Sequence, residues 1–230
     1  MASKTPFDPY QVPIYNYPPW LALIFTPLGF LSLRFSQALN AFAAFFFVSL
    51  LVVRSKGNFF SLLITLTSFP FFALLANASV DWIVAAGFVF ASIWTVPLVL
   101  VKPQAGFLVI LLWFKHSTRK KIFVLAILLF VFATFLIWKQ WPMQMVQKIQ
   151  EISGMKNVNS SFFPWSIPFG VILLYYAWKN DDELAAVGAS LCVAPYFAPQ
   201  SLIIGFAILA ARYRKIALVV SVFLWMYYYF

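Results

Sequence analysis

The chain has 230 residues, of which 63% are apolar and only 10% are charged, whereas soluble domains are about half apolar and about a quarter charged. A water-soluble globule cannot bury that much apolar surface, so the composition predicts an integral membrane protein. The net charge of +10 does not indicate a nucleic-acid partner, because the basic residues stand mainly at the ends of apolar stretches, where they reach lipid headgroups.

The first nineteen residues are rich in proline, tyrosine and polar groups and lack the apolar core of a signal peptide. We expect residues 1–19 to form an extracytoplasmic segment, because the orientation predicted from the basic clusters places both termini on the outer side. Membrane insertion then depends on the apolar segments that follow.

Ten apolar segments follow, separated by charged clusters or by proline and asparagine. They do not alternate apolar and polar residues as barrel strands do, and the longest approach the roughly 20 residues that cross a bilayer as a helix. The sequence predicts an all-α, polytopic transmembrane helical bundle of about 8–10 membrane segments, some of them short or re-entrant. The segments are 20–33, 36–53, 58–77, 81–101, 104–114, 122–138, 164–178, 184–197, 200–211 and 216–230.

The two halves of the chain, 20–138 and 164–230, follow a similar order. In each, an aspartate is followed six residues later by a glycine, then by a Pro-Gln dipeptide, then by a basic cluster that opens a final helix. This order predicts a tandem repeat. The matching residues are Asp81, Gly87, Pro103 and Gln104 in the first half, and Asp182, Gly188, Pro199 and Gln200 in the second.

The basic clusters predict the orientation. The stretches 115–121 (KHSTRKK) and 212–215 (RYRK) stand at helix ends, and the positive-inside rule assigns that side to the cytoplasm. If every segment crosses the membrane, Arg54, Lys56 and Lys102 lie on the opposite, outer side.

Residues 139–163 form the one long polar connection. Met143, Val146, Ile149 and Ile152 fall at helical spacing, with polar residues opposite. This pattern is typical either of a helix lying in the membrane interface or of an ordinary amphipathic linker.

Most catalytic groupings are absent from the sequence. A single histidine, His116, and a single cysteine, Cys192, do not build a histidine-rich metal site, a Ser-His-Asp triad or a redox pair. There is no glycine-rich phosphate loop. We expect no metal and no cofactor.

The remaining candidates are polar residues beside apolar segments, where burial is costly and function is the default suspicion. Lys102 stands between two apolar runs with Gln104 nearby, and either binds a lipid phosphate or reaches the headgroups as a helix-end lysine. The run Asp181, Asp182 and Glu183 is either a metal or acid-base site or an N-terminal cap of the next helix. Asp81 has the same capping interpretation.

Several short motifs are distributed over most of the chain. They are Asp8-Pro9-Tyr10, Tyr15-Asn16-Tyr17-Pro18-Pro19-Trp20 followed by Pro27-Leu28, the stretch from Asp81 to Gly87, and Lys102-Pro103-Gln104-Ala105-Gly106. Taken together, these motifs resemble those of the polyprenol-phosphate-sugar-dependent mannosyltransferase family of the GT-C superfold.

This resemblance implies a multi-pass enzyme, expected in a prokaryotic cell membrane, that takes a sugar from a polyprenyl-phosphate donor at the outer face. It implies that Asp8 is the catalytic base and that Lys102, with Gln104, binds the donor phosphate. Tyr15, Tyr17 and Trp20 are then expected to line a platform for the sugar.

Two other functions fit the sequence. The first is a structural or assembly subunit of a larger membrane complex, with helices that pack against other membrane subunits, because aromatic residues make up 20% of the chain. The second is a transporter whose Pro-Gln segments interrupt helices around a central site.

Overall fold

A computed structural model describes residues 7–11, 15, 17–153 and 159–229, with the side chains of 151–153 and 229 left out. Asn16 of the resemblance motif therefore lies outside the described residues. The described chain is helical and contains no strand, which confirms the all-α prediction. Its helices are α1 (Trp20–Phe25), α2 (Leu33–Arg54), α3 (Phe59–Leu66), α4 (Phe69–Ala76), α5 (Asp81–Phe90), α6 (Val96–Val99), α7 (Val109–His116), α8 (Lys120–Trp138), α9 (Trp141–Ser153), α10 (Ile167–Asn180), α11 (Glu183–Val193), α12 (Ile203–Arg212) and α13 (Arg214–Tyr229).

Two described helices, α2 and α8, are long and apolar enough to cross a membrane, and a third span results if α3 and α4 are counted as one. α3 and α4 meet at an angle of 53°. Pro70 explains the break, because a proline lacks the N–H that a continuous helix would need and its ring clashes with the carbonyl four residues earlier, that of Leu66. The other apolar segments form shorter helices.

The surface of α8 is apolar. Only 17% of its most apolar stretch is buried within the chain, so most of its leucine, isoleucine and phenylalanine side chains face outward, among them Leu128, Phe132 and Leu136. Such a surface is compatible with a lipid environment and unfavourable in water.

The main core lies between α2, α5, α11 and α12. Its centre holds fully buried side chains such as Val48, Val84, Ile204 and Ile208. Small residues let the helices approach closely: a Cβ on Gly170 of α10 would lie 2.8 Å from a methyl group of Val193. Close packing through small residues is typical of membrane helices.

Two 3₁₀ turns contain the Pro-Gln dipeptides. We name Pro103–Ala105 the first Pro-Gln turn and Pro199–Leu202 the second Pro-Gln turn. Each turn follows a short helix, α6 or α11, and precedes a pair of helices, α7–α8 or α12–α13. The halves pack crosswise, since α11 contacts the first turn and α4 contacts the second.

The segment 81–101 does not run from one end of the molecule to the other. α5 ends at Phe90, and the next residue, Ala91, has a left-handed backbone (φ 38°, ψ 56°). The chain then turns through α6 so that Lys102 returns to Asp81. The segment is therefore a hairpin. Because this segment turns back, the residues that precede it lie on a different side from the one predicted for ten crossing segments.

Arg54 illustrates the change. Its guanidinium contacts Glu183 at the start of α11, beside Asp181, which contacts Lys115. Arg54 thus lies at the same end as the basic clusters, which we name the basic end. The expectation that it lies opposite those clusters is wrong, because it assumed that the segment 81–101 crosses.

Candidate functional site

A buried ion pair closes the base of the 81–101 hairpin. Lys102 Nζ lies 2.7 Å from Asp81 Oδ2, and the two side chains are 5% and 0% exposed. Lys102 also donates to Ser79 Oγ at 3.0 Å, and that hydroxyl donates to Asp81 Oδ2 at 2.6 Å. Each buried charge thus has an opposite charge and a hydroxyl beside it, which offsets part of the cost of burial, while Asp81 Oδ1 has no hydrogen-bond partner among the described residues.

Asp81 is the first residue of α5, where the helix dipole favours a carboxylate. Its side chain does not cap the helix, however, because the residue at the cap position is Val80 and no side-chain capping bond is formed. The capping interpretation of Asp81 is wrong. The carboxylate instead holds Lys102.

Beside this ion pair lies a cavity of about 260 Å³. We name it the Pro-Gln cavity, because both Pro-Gln turns line it. Lys102 is the one charged side chain among the described residues of its wall. The lining residues are Tyr17, Val101, Lys102, Pro103, Gln104, Phe107, Met145, Ile149, Val193, Ala194, Pro195, Tyr196, Ala198, Gln200 and Ser201.

Three of the site residues predicted from the sequence meet in this wall: Tyr17, Lys102 and Gln104. Lys102 Nζ lies 5.5 Å from the centroid of the Tyr17 ring, a distance at which a cation is attracted to an aromatic face. The structure therefore brings a residue of the amino-terminal segment to the first Pro-Gln turn, more than eighty positions away along the sequence.

Tyr15 and Trp20 lie behind the wall and do not line the cavity. The Tyr15 hydroxyl donates to the Pro18 carbonyl at 2.9 Å, and Trp20 Nε1 donates to the Pro97 carbonyl at 3.2 Å. The Trp20 ring packs edge-on against Trp141, with 5.2 Å between ring centroids. These contacts fix the amino-terminal segment against α6 and α9.

Asp8 is exposed and accepts a hydrogen bond from Gln11 Nε2. It is not among the residues that line the Pro-Gln cavity. Two residues further on, the Tyr10 hydroxyl donates to the Tyr17 carbonyl at 2.9 Å. The segment that carries Asp8 is thereby connected to the cavity wall, although the carboxylate itself stands outside it.

The long connection contributes to the cavity through α9. Met145 and Ile149 line the wall, whereas Met143 and Val146 are exposed. The predicted apolar stripe is therefore divided between two surfaces, one facing the cavity and one facing outward. The side chain of Ile152, the last residue of that stripe, lies outside the described residues.

The sequence indicated Gln200 as part of the second Pro-Gln dipeptide but gave no indication of Tyr196 and Ser201. Within the described residues, Gln200 Oε1 and Ser201 Oγ are buried without a hydrogen-bond partner. The one signal in the sequence was the repetition of the Pro-Gln dipeptide. Nothing in the spacing indicated that the two turns meet.

The acidic run 181–183 lies at the basic end, where α10 ends and α11 begins. Asp182 caps α11 by accepting hydrogen bonds from the backbone N–H groups of Leu184 and Ala185, which confirms the capping interpretation. No group of three potential metal ligands occurs among the residues described.

Each acid of this run also pairs with a basic residue from another helix. Asp181 contacts Lys115 at 2.6 Å and His116 at 2.8 Å, and hydrogen bonds from these two side chains lower the pKa of the Asp181 carboxyl. Asp182 pairs with Arg212, and Glu183 with Arg54 through two bonds of 2.7 and 2.8 Å.

No family model, no curated protein and no solved structure matches this chain. The Pro-Gln cavity and its buried lysine are thus the observations on which a functional argument rests.

Proposed function

We propose that this chain is a multi-pass membrane protein of the GT-C type, situated in a prokaryotic cell membrane, which binds a polyprenyl-phosphate-linked sugar in the Pro-Gln cavity and transfers the sugar to an acceptor. The observation that carries this proposal is the convergence of Tyr17, Lys102 and Gln104 on one cavity with a single buried ammonium group.

The positions of the basic end and of the Pro-Gln cavity support an opening of the cavity at the outer face of the membrane. α8 begins at Lys120 near the basic end and spans about 28 Å over its 19 residues, close to the roughly 30 Å of a bilayer core. It ends at Trp138, which packs with Trp20 and Val101 beside the cavity. With the basic end in the cytoplasm, the cavity opens near the outer face.

Lys102 is suited to a phosphate oxygen. An ammonium group has three N–H donors, and its described partners, Ser79 and Asp81, accept two. We propose that the third is donated to the ligand. Asp81 fixes the position of the ammonium and compensates its charge, so binding relies on a directed hydrogen bond and not on a net positive field.

The size of the cavity suits a head group. Its volume of about 260 Å³ lies slightly below the roughly 300–1,000 Å³ of pockets that enclose drug-sized molecules. Apolar side chains of Phe107, Met145 and Ile149 form part of the wall. They offer contact to the first carbons of a prenyl chain, while the remainder of the chain lies in lipid.

Asp8 is the proposed base. In the transfer, the acceptor oxygen bonds to the anomeric carbon of the sugar, the bond between that carbon and the phosphate oxygen breaks, and the lipid phosphate leaves. The acceptor proton passes to the Asp8 carboxylate. The link from Tyr10 to Tyr17 supports this role, because it holds the Asp8 segment at the cavity wall.

A second candidate is a structural subunit that packs against other membrane proteins. It is favoured by exposed aromatic residues on α13, including Phe223 and Tyr227, which are 66% and 63% exposed. Lipid covers such a surface equally well. Sizing in mild detergent distinguishes the two, since a lone monomer contradicts the subunit function.

The test of transfer uses the purified chain in detergent and a short-chain prenyl-phosphate mannose. We expect the wild-type protein to bind this lipid, and Lys102→Met and Gln104→Leu to weaken binding at least about tenfold through loss of a hydrogen bond. Lys179→Met, an exposed lysine at the end of α10, is the control. Asp8→Asn should abolish transfer while leaving binding intact. Absence of binding by the wild-type protein contradicts the proposal.

A further inference from the structure

We propose that the second Pro-Gln turn binds the hydroxyl groups of the ligand's sugar through Gln200 and Ser201, opposite the phosphate position at Lys102. This inference rests on the proposed function and assigns the uncharged half of the head group to its own set of residues.

Two unpaired polar atoms point to this role. Among the residues described, Gln200 Oε1 and Ser201 Oγ are buried and have no hydrogen-bond partner, and both residues line the Pro-Gln cavity. A buried polar atom without a partner destabilises a fold, and such atoms are rare in native proteins. A ligand that supplies the missing hydrogen bonds removes that cost when it enters the cavity.

The chemistry of the two side chains selects hydroxyl groups. The Gln200 oxygen only accepts hydrogen bonds, and the Ser201 hydroxyl both donates and accepts. An ionised phosphate oxygen cannot donate to Gln200 Oε1. A sugar presents adjacent hydroxyl groups that donate and accept, and so satisfies both atoms.

The backbone holds the pair in place. The Ser201 N–H donates to the Ala198 carbonyl at 2.9 Å, which fixes the turn ahead of α12. The second turn also contacts the first, so Gln200 and Ser201 belong to the same wall as Lys102 and Gln104. The cavity thus has a charged part from the first half of the chain and an uncharged polar part from the second.

Ser49 provides a matched control. Its Oγ is likewise buried without a hydrogen-bond partner in the described chain, but it lies on α2 and does not line the cavity. Substitution of either serine by alanine removes a buried unpaired oxygen, so each variant should melt at or above the wild-type temperature without ligand. Only Ser201→Ala should change ligand binding.

The test measures binding of two probes to detergent-solubilised protein: a short-chain prenyl phosphate, and the same prenyl phosphate carrying one mannose. We expect Ser201→Ala and Gln200→Leu each to weaken binding of the mannosylated probe about tenfold, the effect of one lost hydrogen bond. Binding of the sugar-free probe should not change, and Ser49→Ala should bind both as the wild-type protein does.

Three results would overturn the inference. If both cavity variants bind the mannosylated probe as tightly as the wild-type protein, the second turn does not bind the sugar, while the proposed function stands. If they lose both probes equally, Gln200 and Ser201 only maintain the cavity. If the wild-type protein binds neither probe, the proposed function and this inference fail together.

Discussion

Lys102 Nζ lies 2.7 Å from Asp81 Oδ2 in a site where neither side chain is more than 5% exposed. The pair joins the two ends of the 81–101 hairpin and places the ammonium at the wall of the Pro-Gln cavity. Removal of one partner leaves the other charge buried and unpaired, whereas removal of both partners leaves no buried charge.

A double-mutant cycle tests this pair. We expect Lys102→Met alone to lower the free energy of unfolding by about 3–5 kcal/mol, because Asp81 remains as an uncompensated buried charge. The double variant Lys102→Met with Asp81→Leu should lose much less. Denaturant unfolding in detergent measures these two variants and Asp81→Leu alone, which completes the cycle. Additive losses in the double variant would contradict a direct pairing.

Gly106 allows the chain to pass Phe88 directly after the first Pro-Gln turn. A Cβ at this position would lie 2.7 Å from Phe88 Cζ and 2.8 Å from Cε2, and the ring is fully buried. We expect Gly106→Ala to destabilise the protein by about 1–3 kcal/mol through overpacking.

Gly188 serves as the control for this substitution. The nearest atom to a Cβ there is the flexible Leu173 Cδ1, at 3.3 Å, so Gly188→Ala should cost clearly less than Gly106→Ala. Thermal unfolding of the two variants measures the difference. Equal losses would show that the Phe88 ring is free to move.

Asp181 predicts a pH dependence of stability. Hydrogen bonds from Lys115 and then His116 lower its pKa in the folded state below the ordinary value of 3.8. A carboxyl with a lowered folded pKa contributes stability above its unfolded pKa and loses it as the pH falls toward the folded one. The loss should therefore appear below about pH 4, and it should be small because the group is exposed.

The variant Asp181→Asn checks this assignment. It should be slightly less stable than the wild-type protein near neutral pH, and the difference should disappear in acid as the wild-type carboxyl becomes protonated. Melting temperatures at pH 6 and pH 3 measure the change. A constant difference between the two proteins at both pH values would contradict it.

Cysteine labelling tests which residues share a side of the membrane. In a background with Cys192→Ala, Lys56→Cys and Lys121→Cys should both react with an impermeant thiol reagent from the same side, because the 54–56 region and the basic clusters lie at one end of the molecule. Opposite accessibility would mean that the segment 81–101 crosses the membrane.

The sequence allowed the helical class, the two Pro-Gln turns and the Asp182 cap to be predicted, because each depends on composition or on neighbouring residues. The apolar run 81–101 could not be distinguished from a span, since a hydropathy pattern gives the length of an apolar run and does not show whether the chain turns back within it. The return of Lys102 to Asp81 depends on a pairing twenty-one positions apart. Tyr196 and Ser201 reach the cavity through packing between the two halves, which local patterns do not report.

The 81–101 hairpin has a consequence for biogenesis. During synthesis, this stretch is apolar and long enough to be inserted as an ordinary transmembrane span. In the proposed membrane protein, the hairpin reaches its final position only once α2 and α12 pack against α5, because a lysine and an aspartate are costly in hydrocarbon until they are enclosed. Since α12 belongs to the second half of the chain, that half must then be made before the first half reaches its final arrangement.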